Sequence, residues 1–150
     1  MLYLTLCILL AFEGSSEDDL ILSYKAEMGV KWMTYTIHES QLESIPDWSP
    51  EEECPPLSPR KAINIGTNGL KVLEKRGFIK RYHELGNWEM VEASLNPIDQ
   101  KKWFWKLHFE LIPGQGQGFS GISPEATVIV LMDGSILMPS LAEDDSARRQ

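Results

Sequence analysis

Residues 102 to 112, Lys102-Trp103-Phe104-Trp105-Lys106-Leu107-His108-Phe109-Glu110-Leu111-Ile112, decide the architecture. Every odd position is large and apolar, whereas Lys106, His108 and Glu110 occupy even ones. A period of two is the mark of a strand, and it sends Trp103, Trp105, Leu107, Phe109 and Leu111 to one face. Five such side chains can be hidden only against a second layer. Upstream, Asn87 to Leu95 alternates with Val91, Ala93 and Leu95 on one face, and Asn96-Pro97-Ile98-Asp99 is a turn, so a hairpin into residues 102–112 is predicted. Downstream, the glycine-rich loop Pro113 to Gly121 precedes Ala126 to Met132, whose Val128-Ile129-Val130-Leu131 run reads as a strand buried on both faces. Asp133-Gly134 is a strong hairpin turn, and Ser135 to Met138 should return antiparallel.

One convincing helix lies before this sheet. Ser58-Pro59 suits a helix start, because serine can cap free amides and proline fits the first turn. Gly77, after Lys75 and Arg76, suits its end. Ala62, Gly66, Gly69, Leu70 and Leu73 form a stripe with Ile63 at its edge, and Lys61, Asn64, Asn68, Lys71 and Lys75 form the opposite one. Two interior glycines each cost about 1 kcal/mol relative to alanine, which predicts close approach to a sheet bearing bulky tryptophans. Leu20 to Ala26 and Lys31 to His38 alternate as two strands with a glycine between them, and Met33, Tyr35 and Ile37 share one face of the second. From Glu39 to Leu57 the chain is acidic and proline-rich, a surface connection that Trp48 should clamp to the body. The expectation is an α+β fold with one helix packed across an antiparallel sheet of about five to six strands. A single domain would span residues 17–140, followed by a disordered tail at 141–150.

Residues Leu2 to Phe12 are nearly all apolar and are followed by Gly14-Ser15-Ser16. The run is about half the ~20 residues that a membrane-spanning helix needs, and small residues stand where a peptidase would cut. Residues 1–16 therefore read as a signal peptide, although no Lys or Arg precedes the run, and the protein as exported, with no stable membrane span. Without that segment Cys54 is the one cysteine, so the mature chain can form no internal disulfide. A net charge of −8, from 22 acids against 14 bases, disfavours a nucleic-acid partner.

Catalytic and cofactor signatures fail on context. Gly116-Gln117-Gly118-Phe119-Ser120-Gly121 matches G-x-G-x-x-G, but a strand and not a helix follows. Ser120 lacks the surroundings of a nucleophile elbow, and His83-Glu84 has Asn87 where a zinc motif needs its second histidine. No metal and no cofactor are expected. His108 and Glu110 are outward neighbours and would form an acid–base cluster with His38 if the second strand lay beside them. Phe104, on the opposite face of the central strand, together with Trp32 and Trp88, would leave an apolar patch if the helix covers one side alone. The lysines of the helix, continued by Arg76, Lys80 and Arg81, read as a solvated basic face.

The order of helix, aromatic alternating strand and valine-rich strand ending in a glycine turn resembles PepSY-type domains and, more broadly, cystatin-like helix-on-sheet folds. Ala62 to Leu73, Trp103 to Leu111 and Val128 to Gly134 carry the likeness. The resemblance to PepSY implies an exported domain that binds or restrains a partner without catalytic residues. The acidic proline-rich loop and the two N-terminal strands depart from that pattern. The leading expectation is an exported, non-enzymatic module that binds a protein or peptide through its sheet face or an edge strand, with Trp32, Trp88 and Phe104 as candidate contacts. One alternative is a small enzyme with a pocket between helix and sheet, using His38, His108 and Glu110. Another is a self-associating envelope component.

Overall fold

A computed structural model describes residues 20–28, 31–80, 86–116, 118 and 123–141, and the side chains of 20–28, 31, 32 and 141 fall outside that description. The expected signal peptide, His83, Ser120 and residues 142–150 of the expected tail lie outside the described residues.

The strands are β1 (Leu20–Met28), β2 (Lys31–His38), β3 (Gly86–Pro97), β4 (Trp103–Pro113), β5 (Glu125–Leu131), β6 (Ile136–Leu137) and β7 (Ser140–Leu141). Helix α2 (Pro59–Lys75) is the main helix, and α1 (Glu39–Leu42) is a single turn. The class is α+β, but the strands form two sheets rather than one: β1-β2-β7 and β3-β4-β5-β6, with antiparallel pairing throughout. The division is made by residues beyond the Asp133-Gly134 turn. After the short β6, Pro139 intervenes and the chain crosses to the other sheet, where Ser140 pairs with Thr34 and Leu141 with Met33. Strand pairing thus runs one residue into the segment expected as a tail.

The central strand behaves as its alternation dictates. Trp105, Leu107, Phe109 and Leu111 are buried, and α2 lies on that face with Ala62, Gly66, Gly69, Leu70 and Leu73 turned inward. A Cβ on Gly66 would sit 1.9 Å from Leu107 Cδ1, and one on Gly69 would sit 3.0 Å from both Val128 Cγ1 and Ile136 Cδ1. The glycines do permit close approach, but to Leu107, Val128 and Ile136 and not to tryptophans. Gly77, at φ +78°, ends the helix in the left-handed conformation that favours glycine.

In β3 the parity changes at a bulge between Met90 and Glu92. Trp88 pairs with Leu111 and Met90 with Phe109 before it, and Ala93 with Leu107 and Leu95 with Trp105 after it, so these four share the helix-facing side. Val91, expected inside, is the extra residue and is 48% exposed, because a bulge places two residues opposite one. In β5, Ala126, Val128 and Val130 are buried towards α2, and Thr127, Ile129 and Leu131 are buried on the other face, as expected of a strand covered on both sides. Met33, Tyr35 and Ile37 of β2 belong to the same core, and the Tyr35 hydroxyl donates to the Thr127 carbonyl.

The 39–57 connection is anchored more firmly than a surface loop. Ile45, Trp48 and Leu57 are buried, Trp48 packs edge-on against Trp103 with centroids 5.4 Å apart, and its backbone N–H donates to the Lys101 carbonyl. The Lys102 ammonium donates to the Ile45 carbonyl and contacts Asp47 Oδ1 at 2.8 Å. The hydrogen bond from Lys102 holds the Asp47 carboxyl below its ordinary 3.8, with the nearby charges of Lys102 and Lys101 acting in the same direction against partial desolvation. A depressed folded-state pKa contributes stability above the unfolded value and loses it as pH falls through the folded value. The midpoint of urea unfolding should therefore separate wild type from Asp47→Asn above pH 3.8, and the difference should close as the carboxyl protonates below it. Salt should narrow the same difference, since Asp47 is exposed.

Candidate functional site

The candidate residues fall into three places. Phe104 pairs with Leu131 on the face of the four-stranded sheet opposite α2 and is only 4% exposed. It belongs to the core and not to an open patch, because that end of the face is itself covered. Trp88 faces the helix, where its indole N–H donates to Glu74 Oε1 at 3.1 Å, so its aromatic surface is also engaged within the fold. The side chain of Trp32 lies outside the described residues. Phe104 and Trp88 thus lie on opposite faces of the sheet and do not share a surface patch.

His38 ends β2 and lines a groove of about 440 Å³ with Thr34, Thr36, Gln41, Met138 and Ser140. Its backbone N–H donates to Gln41 Oε1 at 3.0 Å, which pins the first turn of α1. His108 and Glu110 lie elsewhere, on the half-buried end of the sheet face opposite α2. The expected pocket between helix and sheet is filled by the packing of Leu107 and Val128 on Gly66 and Gly69. His108 and Glu110 point away from it, because Leu107 between them and the helix fixes the parity.

A different partner joins them. Register places Glu110 directly opposite Glu125 on β5 and His108 opposite Thr127, so Glu125 is the diagonal neighbour of His108. His108 Nε2 lies 3.6 Å from Glu125 Oε2, and one ligand atom from each of His108, Glu110 and Glu125 falls within 4.8 Å of the other two. On the other side β3 presents Glu89 opposite Glu110 and Glu92 opposite His108. One histidine is therefore ringed by four glutamates on three adjacent strands, with Lys106 next along the same face. Carboxylates set directly opposite each other are unfavourable across a sheet, so this register concentrates negative charge where the fold alone would avoid it. The sequence left Glu125 unnoticed, since it opens its strand after Pro124 and is brought to His108 only by the β4–β5 register.

The long edge strand of this sheet is β3, and the two-residue β6 is the other edge. Among the described residues β3 pairs only with β4, which leaves the other side of its backbone without a ladder. Glu89, Val91 and Glu92 are exposed along β3. No described helix is long and apolar enough to cross a membrane. Comparison with family models, curated proteins and solved structures finds no match.

Proposed function

We propose that this protein is a non-enzymatic binding module, exported as its N-terminal sequence suggests, that takes an extended peptide segment of a partner onto β3. The likeness to PepSY-type domains, which act by engaging a partner, belongs to the same proposal. The observation that carries it is that, among the described residues, the 12-residue β3 has a ladder on one side alone along about 40 Å of backbone at ~3.3 Å per residue. An added strand would satisfy main-chain donors and acceptors there, and side chains flanking the edge would select its sequence. Glu89 and Glu92 favour a basic partner. They also weigh against self-assembly through this edge, because an antiparallel β3 pair centred on the bulge would oppose Glu89 of each copy to Glu92 of the other.

The test is selection of displayed random peptides on the full chain, followed by hydrogen exchange of the complex. Enriched peptides should alternate basic and apolar residues and slow the exchange of β3 amides. The pair of substitutions Glu89→Lys and Glu92→Lys should weaken them at least about tenfold, the equivalent of 1.4 kcal/mol. Failure to enrich any peptide, protection away from β3, or indifference to the charge reversal would each overturn the reading.

A further inference from the structure

We infer that His108, Glu110 and Glu125 form a binding site for a divalent transition-metal cation of the zinc class. Its three ligands stand on β4 and β5 and not on the peptide edge, although Glu89 and Glu92 of β3 border both, and the site does not depend on peptide binding. It also departs from the sequence, in which no ligand spacing indicates a metal.

The donor set and its geometry carry the inference. Ligands about 2.1 Å from a tetrahedral ion are roughly 3.4 Å apart. The 3.6 Å separation of His108 Nε2 and Glu125 Oε2 is close to that, and the 4.8 Å limit on the remaining separations is closed by rotating a glutamate side chain. Three protein ligands leave a fourth position for water or an incoming group. One imidazole nitrogen with two carboxylates suits zinc or its first-row neighbours better than magnesium or calcium, which prefer oxygen alone.

The supporting structure fits the same reading. All three ligands stand on paired strands, so the register and not a flexible loop brings them together. The His108 side chain is 24% exposed and that of Glu125 is 39% exposed, enough for an ion to enter while the ligands stay partly enclosed. Glu110 faces Glu89 on one side and Glu125 on the other, and His108 faces Glu92. A dication at the centre would turn this mutual repulsion into attraction, and the outer glutamates would raise its local concentration.

The experiment is calorimetric titration of the metal-stripped full chain with zinc, with manganese and magnesium as comparisons. It should be run with both cysteines, Cys7 and Cys54, replaced by serine, because a cysteine thiolate can itself bind zinc. One zinc should bind per chain, more tightly than magnesium. His108→Gln and Glu125→Gln should each weaken it by at least the ~10- to 100-fold that loss of a merely supporting contact costs at metal sites. His38→Gln and Glu39→Gln, which remove a histidine and an acid at the start of α1, away from the three ligands, should leave it unchanged. Should a variant at the site fail to fold, broadening of the His108 imidazole resonances by substoichiometric manganese in the parent chain gives the same answer. Absence of saturable zinc binding would overturn the assignment, as would equal losses in the control variants or broadening centred on another histidine.

Discussion

Replacing Leu107 by alanine is expected to lower the unfolding free energy by about 2–5 kcal/mol, the usual range for emptying a buried leucine site. Leu107 is fully buried at the centre of the helix–sheet contact, where its Cδ1 occupies the space a side chain on Gly66 would need. The more informative result is the second substitution. In the wild type, Gly66→Ala should destabilise, because a Cβ 1.9 Å from Leu107 Cδ1 and 3.3 Å from its Cγ forces movement in a closed core. Overpacking of that kind costs about 1–3 kcal/mol, against about 1 kcal/mol gained from helix propensity. In the Leu107→Ala background the obstruction is gone, and the same Gly66→Ala change should stabilise by about 1 kcal/mol or more, from propensity and from partial filling of the cavity. Urea unfolding of the four proteins, with m-values compared to check that the denatured state is unchanged, measures the cycle. Stabilisation by Gly66→Ala in both backgrounds would mean that Leu107 can turn aside, and the glycine would not be what sets the helix-to-sheet distance.

This pair also illustrates what can be read from the chain alone. The stripe from Ala62 to Leu73 and the alternation from Trp103 to Leu111 are each local patterns, and each emerges with the predicted face buried. A period in the sequence states which side of an element is apolar, and burial follows. It does not state which side chain will meet which, so the glycines face Leu107, Val128 and Ile136 where the pattern alone points to tryptophan. The bulge at Val91 was hidden for a related reason. Met90 and Val91 are both apolar, so nothing local marks the residue at which parity changes.

The division into two sheets and the cluster around His108 are further from local pattern. Ser140 and Leu141 carry no strand signal of their own; they pair with β2 because the preceding turn and Pro139 deliver them there. Phe104 looks like an isolated apolar residue on a polar face until Leu131, its pairing partner, is seen to be buried beside it. Glu125 meets His108 through a register that the intervening loop, residues 114–124, does not specify. Sites made by pairing between distant strands leave only residue types in the sequence, and two histidines with one glutamate suggested an acid–base group where pairing instead supplies two carboxylates for one histidine.

Trp105→Ala should rank with Leu107→Ala in effect, costing about 3–5 kcal/mol, since a buried indole is a larger loss than an isobutyl group but this one lies nearer the rim. Trp105 is 7% exposed, and its indole N–H donates to the Leu57 carbonyl at 2.9 Å. That bond ties the end of the 39–57 connection to the central strand just before α2 begins. Trp105→Phe keeps most of the apolar contact and removes the donor, leaving a carbonyl beside buried Leu57 without its partner, at about 1–3 kcal/mol. The two variants separate packing from tethering. If tethering matters, Trp105→Phe should speed cleavage by a glutamate-specific protease at the exposed Glu51 to Glu53 more than its shift in urea midpoint would imply, because local release needs only the connection to open. Cleavage that simply follows global stability in both variants would place the hold on the connection at Trp48 against Trp103 and at Lys102 on Ile45, contacts that neither substitution removes. In that event Asp47→Asn, which weakens the Lys102 anchor alone, should accelerate cleavage where Trp105→Phe does not.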